Sequence, residues 1–512
     1  MTMTATKNQP PRLDPSAGLI HVHRPADGTH ITDLPLHHPA DIAECATRLR
    51  AAQSDWERTG VKGRIEWLAR YRQWMVDNTD RLIELGADEG GRVPNEPMLE
   101  TTLLIELIDY YTRSAPKLLA PQRIRPGSPL VLGKKLVVHR HPHRLVGVIG
   151  AWNFPMLLTV GDALPALFAG AAVMVKPSEV TPLTVRELLR GWERIGAPPV
   201  FEAVYGGADI GAAVVDEADF VQFTGSVATG KRVLERAAAT ITPVSLELGG
   251  KDPCLVLAGT NLARAANCAV YGGFANNGQV CMGFERVYVE DAVYDEFVDL
   301  VVDRVRALRS GADGNSDVGA LTFAPQLDTI EEHVRDAIDR GARVLTGGRR
   351  IDRSGAWFEP TVLVDVDHSM ALMRAETFGP VLPIMRVADE REAVRMANDS
   401  EFGLSATVFA ADNRQAERVA AQLEVGAVNI GDFLINMTCV DAPQGGWKQS
   451  GIGSRGSDYG LLKFTKTKVI AGSRIPVSDR EINWFPYTPG RRRAFRGAIR
   501  LFHGRGLGRF GL

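Results

Sequence analysis

Residues 145–176 read LVGVIGAWNFPMLLTVGDALPALFAGAAVMVK. Two short apolar runs, 145–150 and 172–175, flank a stretch that Pro155 and Gly161 punctuate and that turns helical over 162–170. Runs of this length, bounded by Gly or Pro and lacking polar alternation, predict strands buried on both faces. The pattern continues downstream. Apolar runs at 201–205, 220–223 and 244–248 alternate with helical segments at 183–195, 210–215 and 231–239. Strand–helix alternation predicts a parallel, doubly wound sheet.

A second alternating block starts near Pro253. It holds a strand at 254–257, a helix at 262–274, a strand at 286–289, a helix at 293–308, and later segments at 337–344, 381–387, 407–409 and 427–429. The expected fold is therefore α/β, with two doubly wound parallel-sheet lobes in series and a cleft between them. Upstream, 41–119 is helical, with Leu68, Tyr71, Arg72 and Met75 recurring at three- and four-residue steps. The first forty residues, rich in Pro and His and without a period, are expected to form a loosely ordered arm. Residues 134–144, KKLVVHRHPHR, read as an exposed β-hairpin. His139, His141 and His143 would share one of its faces as a polar edge, with no metal expected there.

Composition narrows the class. The 512 residues are 45% hydrophobic and 23% charged, with a net charge of −2. That excludes a disordered chain and gives no reason to expect nucleic-acid binding. Cys45, Cys254, Cys268, Cys281 and Cys439 form no CxxC pair, which argues against a disulfide framework or a thiolate zinc site. The N-terminus has no apolar run of signal-peptide type, and the apolar stretch 160–175 is broken by Gly161, Asp162, Pro165 and Gly170. A cytoplasmic location is expected.

Several motifs carry chemistry. The segment 225–231, GSVATGK, nearly matches a phosphate-binding loop, but residue 232 is Arg, so the hydroxyl that would hold magnesium is missing. What remains is a strand, a Gly-containing turn and a helix N-terminus, a suitable cradle for a dinucleotide phosphate. In 278–281, GQVC, Cys281 follows the polar loop Asn276-Asn277-Gly278-Gln279, where an exposed thiol can react. No His lies near it in sequence, so an acidic base is expected. Glu247, in LELGGK at 246–251, ends an apolar strand, where burial raises a carboxyl toward the range useful for a base; a salt bridge to Lys251 is the structural alternative. Asn153, in AWNFP, offers an amide donor at a strand end, suited to an oxyanion. KPSE at 176–179 and ETFGP at 376–380 add groups that could grip sugar hydroxyls.

This ordered set resembles the aldehyde dehydrogenase superfamily, non-acylating type. WNFP at 152–155, KPSE at 176–179, FTGS at 223–226, LELGGKDP at 246–253, GQVC at 278–281 and ETFGP at 376–380 occur in the family's order, followed by Asn429 and GGWKQSGIG at 445–453. The resemblance covers about 40–475. It implies that Cys281 attacks the aldehyde carbon, that Asn153 and the Cys281 backbone N–H hold the oxyanion, and that Glu247 activates water to release the acid. It implies a cofactor site built from Ile149, Trp152, Lys176, Ser178, Glu179, Gly207, Gly211, Phe223, Gly225, Ser226, Leu248, Glu376 and Phe378. It also implies a dinucleotide-binding domain at 41–125 and 145–252, a catalytic domain at 253–432, an oligomerisation arm at 126–144 and 433–473, and a homodimer or homotetramer. Glu179 accepts hydrogen bonds from a free 2′-hydroxyl and repels a 2′-phosphate, so NAD is expected over NADP.

Relatives acting on succinate semialdehyde place Arg near positions matching Gly161 and Ala275; neither is Arg here. The inferred tunnel, Phe154, Leu157, Leu158, Met282, Phe284 and Phe433, is apolar, and Gly161 would leave room. An apolar aliphatic or aromatic aldehyde is the expected substrate, with succinate semialdehyde the alternative. Other classes are a cofactor-independent Cys esterase and a non-catalytic nucleotide-binding relative. The basic tail, 474–512, stands outside the resemblance. From residue 491 onward it holds seven Arg and no acid, leaving −9 on the rest of the chain. Residues 491–502 read as a short amphipathic helix, a membrane-surface or acidic-partner element; weak, salt-sensitive peripheral contact with a membrane is the expectation, and a solvated tail or one docked on an acidic neighbouring subunit is the alternative.

Overall fold

In the computed structural model, residues 12–127, 131, 133–474 and 484–504 are described. They fall into two compact units, one of Met1–Leu118 with Pro142–Thr465, the other of Leu119–His141 with Lys466–Leu512.

The first unit contains both large sheets. In the first sheet, Leu145–Ile149 is central. Ala172–Lys176 and then Phe201–Ala203 lie on one side, Phe220–Thr224 and then Val244–Glu247 on the other. These five strands are parallel. Every residue of Leu145–Ile149, Ala172–Lys176 and Phe220–Thr224 is buried, which is why they read as continuous apolar runs. The winding direction reverses between Leu145–Ile149 and Phe220–Thr224, so a crevice opens outside their carboxyl ends. Gly451–Ile452 adds an antiparallel edge against Val244–Glu247.

The second sheet has seven strands, in the order Arg343–Thr346, Thr361–Val364, Val381–Val387, Phe284–Glu290, Asp252–Val256, Ser405–Phe409, Ala427–Ile430. All pairings are parallel except the Arg343–Thr346 edge. The segment expected at 337–344 is split between the end of helix Gln326–Asp339 and that edge strand.

Two expectations are corrected. Within the first forty residues, Arg12–Asp14, Leu19–His23 and His30–Pro35 form an antiparallel three-stranded sheet rather than a loose arm. Ile20, Val22 and Leu34 are buried with Leu85 and Leu183; the period-two signal is too short to stand out among the His and Pro residues. The 134–144 segment is no hairpin. Lys134–Pro142 is a single strand between Thr465–Ser473 and Gln122–Ile124, in the small sheet whose residues fall mainly in the second unit. That unit also contains helix Pro489–His503. Residues 433–465, expected in the oligomerisation arm, belong to the first unit. Among the described residues no helix is long and apolar enough to cross a membrane.

Candidate active site at the junction of the two sheets

The chain leaves the first sheet at Glu247, the end of Val244–Glu247, and enters the second at Asp252, the start of Asp252–Val256. The carboxyl ends of one sheet are thus brought against the amino ends of the other. Gly250 lies so close to the Cys281 segment that a Cβ there would stand 2.4 Å from the Cys281 carbonyl oxygen.

The loop before Cys281 is not the exposed polar loop expected. Asn276, Asn277 and Gln279 are buried. Asn276 and Asn277 adopt left-handed backbone angles, φ 48° and 58°, which Asn tolerates better than most residues. Gly278, φ 73°, has no space for a side chain: a Cβ would meet the Gly379 carbonyl oxygen at 2.0 Å. The loop amides donate to backbone or accept from it, although Asn276 Oδ1 and Asn277 Oδ1 are buried without a partner among the described residues. Asn276 Nδ2 donates to Asn153 O (3.0 Å), Asn277 Nδ2 to Ala320 O (2.5 Å), and the Thr322 N–H donates to Gln279 Oε1 (2.9 Å). Cys281 follows this rigid turn, half-buried. Burial pushes its thiol up to about 12, and Arg455 is the first charge acting in the opposite direction.

Asn153 is buried and follows strand Leu145–Ile149 through Gly150. One of its amide hydrogens goes to Gln279 O at 3.0 Å, two residues before Cys281. An amide carries two N–H bonds, so the other is free for an oxyanion. The Asn153 carbonyl accepts from Arg92 (3.1 Å), whose guanidinium is fixed by buried Glu100 at 2.6 Å. Glu100 in turn accepts from Leu157 N at 3.1 Å, in the π-helical turn Met156–Gly161 that follows WNFP.

Glu247 does not pair with Lys251. Lys251 binds Glu285 instead, and Glu285 accepts from the Thr377 and Phe378 N–H groups. Glu247 is buried with Oε1 unpartnered. Desolvation lifts its carboxyl to about 7, while Arg455 and Lys463 pull it down and Asp162 pushes it up. Arg455 Nη2 is 3.0 Å from Asp162 Oδ2. Lys463 donates to Gln222 Oε1 (2.7 Å), Ser454 O (2.8 Å) and Ser245 Oγ (3.2 Å), and burial lowers it to about 8. Sequence reasoning missed this trio. The available signal was a cation inside an apolar run, GLLKF at 460–464.

A cavity of about 600 Å³ opens at the carboxyl ends of the first sheet, lined by Ile149, Lys176, Glu179, Gly207, Gly211 and Phe223 among others. Arg232 and Val233, from helix Val227–Ala238, also line it. Six of the thirteen expected cofactor residues meet here, beside Gly207 at the N-cap of helix Ala208–Glu217 and along helix Val227–Ala238. The cavity therefore fits a dinucleotide. Lys176 Nζ is 3.1 Å from Glu179 Oε2.

The others lie elsewhere. Ser226 is spent as an N-cap, accepting from Thr229 N at 3.3 Å, and Ser178 Oγ accepts from Val180 N at 3.2 Å. Gly225 N donates to Glu247 O at 3.1 Å, and Leu248 packs under Gly230. Glu376 accepts from Gly250 N at 3.1 Å, its carboxyl raised to about 8 chiefly by burial. Trp152 meets the Phe378 ring edge-on at 5.3 Å.

The expected substrate tunnel is redistributed. Leu158, Met282, Phe284 and Phe433 are core residues, with Phe284 and Phe433 ring centroids 4.8 Å apart. Gly161 and Leu157 line a separate, small cavity of about 30 Å³ with Leu107, Tyr111 and Met437; a Cβ at Gly161 would stand 3.1 to 3.4 Å from Leu157, Leu104 and Leu107. Phe154 instead lines a cavity of about 340 Å³ with Tyr271, Phe274, Ala275 and Leu434; Asn276 and Val280, from the loop before Cys281, also line it. Its charged groups are Glu96 and Asp317, with no cation.

Residues 13–470 match the aldehyde dehydrogenase family profile. A 4,4'-diapolycopene aldehyde oxidase from a Methylomonas species is 38% identical over 94% of this chain and 90% of its own length. A Mycolicibacterium smegmatis protein named "Putative succinate-semialdehyde dehydrogenase", NADP-dependent by that name, is 40% identical over 88% of this chain and 87% of its own. The crystal structure of betaine aldehyde dehydrogenase from Staphylococcus aureus in complex with NAD+ superposes with a TM-score of 0.87 at 28% identity, covering 94% of this chain and 97% of that one.

Proposed function

The chain belongs to the aldehyde dehydrogenase family and is an NAD(P)-dependent oxidoreductase; from that premise we propose that it oxidises an apolar aldehyde to the free acid with NAD, through Cys281, Asn153 and Glu247. The observation that carries the hydrolytic reading is Glu247, a buried carboxyl near 7 with one oxygen unpartnered, beside the Cys281 segment.

The steps follow from the side chains. The Cys281 thiol, pushed up by burial, is neutral at rest and must lose its proton as it attacks; Glu247 is the acceptor. Sulfur bonds to the aldehyde carbon, and the carbonyl oxygen becomes an oxyanion facing the second Asn153 N–H. Ile149, Lys176, Glu179, Gly207, Gly211 and Phe223, which line the large cavity, would hold NAD, and the bound nicotinamide would supply the hydride acceptor needed to turn that adduct into a thioester on Cys281. Glu247 passes the Cys281 proton to solvent and, ionised again, removes one from water; the hydroxyl adds to the thioester, the C–S bond breaks to release the acid, and Glu247 returns its proton to the Cys281 thiolate.

Apolar specificity is supported by the cation-free lining around Phe154, Tyr271, Phe274 and Ala275, where a distal carboxylate would meet Glu96 and Asp317. The diapolycopene aldehyde oxidase favours the same reading; the relative named for succinate semialdehyde favours the other. NAD over NADP is supported by Glu179 in the large cavity. The exposed strand Thr465–Ser473, with Val469 and Ile470 outward, supports a homo-oligomer. The test is absorbance of reduced cofactor with NAD or NADP and a panel of aldehydes. Higher kcat/KM for succinate semialdehyde than for aliphatic and aromatic aldehydes overturns the substrate reading. Ester cleavage without cofactor, and no reduction, overturns the reaction.

A further inference from the structure

Helix Pro489–His503 is capped by Thr488, whose hydroxyl accepts from Arg491 N at 3.3 Å, yet none of its residues is buried. A lone helix of this length is marginal in water, so a partner surface is needed to hold it. Helical spacing gathers Ala494, Phe495, Ala498, Ile499, Leu501 and Phe502 on one side and sets Arg492, Arg493, Arg496 and Arg500 on the other. Ile499, Leu501 and Phe502 remain 56%, 47% and 48% exposed. Just before the helix, Trp484, Phe485 and Tyr487 are also exposed.

Among the described residues the charges are uncompensated. Arg491–Arg493 crowd the first turn, where the helix dipole disfavours cations. Among the described residues no carboxylate forms an ion pair with any of the five Arg of this helix; Arg491 donates to the Trp484 and Pro486 carbonyls instead. The missing partner must therefore supply anions and cover an apolar stripe together. A nucleic acid supplies only the first. A second copy of the helix brings the same positive charge. An anionic bilayer surface supplies both, and its interface suits Trp and Tyr.

We propose that residues 484–504 dock the protein reversibly on an anionic phospholipid surface, with the helix lying in the membrane plane. The apolar side enters the acyl boundary and the Arg row meets the phosphates. Apolar aldehydes partition into the same layer, so docking would serve the proposed substrate; the binding itself stands without that reading.

The test is flotation of the full chain with vesicles of phosphatidylglycerol and phosphatidylcholine in equal parts, or of phosphatidylcholine alone. Binding is expected to the first only, and to weaken steeply with added salt. Arg492→Gln, Arg496→Gln and Arg500→Gln should each lower partitioning about five-fold. Ile499→Asp should abolish it while leaving turnover of a water-soluble aldehyde unchanged. Absence of binding at low salt, equal binding to both vesicles, or insensitivity to these substitutions overturns the proposal. So does a drop in oligomeric mass in Ile499→Asp with no vesicle binding by the wild type, which would assign the stripe to a second copy. RNA binding without vesicle binding would assign the Arg row to a nucleic acid.

Discussion

Arg455 Nη2 stands 3.0 Å from Asp162 Oδ2 and 2.8 Å from Thr224 Oγ1, and it is the leading charge that lowers the pKa of both Glu247 and Cys281. One half-buried cation thus tunes the nucleophile and the base together, and Asp162 limits its effect.

Arg455→Gln should raise both groups. Glu247 must be ionised to take a proton from water, so the acid limb of the kcat profile should move above its wild-type position near 7. The substitution also strands the Asp162 charge, and stability should fall by about 3 kcal/mol. Asp162 pushes Glu247 up, so Asp162→Asn combined with Arg455→Gln should bring the limb back down and recover part of the stability. A limb that stays at its wild-type pH in Arg455→Gln would reduce Arg455 to a packing role.

Cys281→Ala should lower turnover by roughly 10³-fold or more while cofactor binding persists, because the 600 Å³ cavity does not include Cys281. Steady-state rates and cofactor fluorescence titration check the two halves. Turnover close to wild type would remove Cys281 from the chemistry.

Glu247→Gln should slow thioester hydrolysis by about 10²–10³-fold and produce a burst of reduced cofactor. Stability offers a second readout. The folded Glu247 carboxyl lies near 7, above its unfolded value, so its protonated form favours the fold at low pH. That contribution is lost as pH rises through 7. The Gln variant should therefore gain in Tm relative to wild type as pH rises from about 4.5, the ordinary carboxyl value, to about 7, with no further gain above it. Unchanged hydrolysis without a burst would make Glu247 structural.

The strands that position the site could be read in advance because they are buried on both faces, as in LVGVI and AVMVK. Glu247 and Asn153 could be singled out because each ends or follows such a run within a distinctive motif, and Cys281 because GQVC follows a glycine-containing loop after an apolar helix. The Asp162–Arg455 pair could not: 293 residues separate its members, and no periodicity links them. Asn276 and Asn277 misled for a different reason. A buried amide whose N–H group donates to distant backbone, as Asn276 does to Asn153 O and Asn277 to Ala320 O, looks, as a letter, the same as a solvated one. The room left by Gly161 was legible only in part: it lines a cavity of about 30 Å³, narrowed by Leu107 from the distant helix Asn95–Leu118.

Glu179 should set cofactor preference. It lies in the large cavity against Lys176 at 3.1 Å, and Arg232 also lines that space. A 2′-phosphate would be repelled by Glu179 and attracted by Arg232. NAD should have the higher kcat/KM, and Glu179→Ser should raise the ratio for NADP by about tenfold, one charge contact's worth. Adding Arg232→Ser should cancel much of that gain. A wild-type preference for NADP would overturn the argument from charge.

Substrate choice can be tested at Ala275, which lines the 340 Å³ cavity with Phe154, Tyr271 and Phe274. The lining carries Glu96 and Asp317 but no cation, and burial raises Glu96 to about 7. Ala275→Arg would place a guanidinium where a distal carboxylate of a semialdehyde could reach it, and the cavity has volume for the side chain. The gain is expected in KM for succinate semialdehyde, by about tenfold, because a charge-assisted hydrogen bond remote from the reacting carbon acts equally in ground and transition states. Long aliphatic aldehydes should lose by a similar factor as the apolar lining is filled. The measurement is kcat/KM for both substrates in wild type and variant. If the wild type already prefers the semialdehyde and Ala275→Arg leaves both constants unchanged, the substrate is held elsewhere and this cavity is not its binding site.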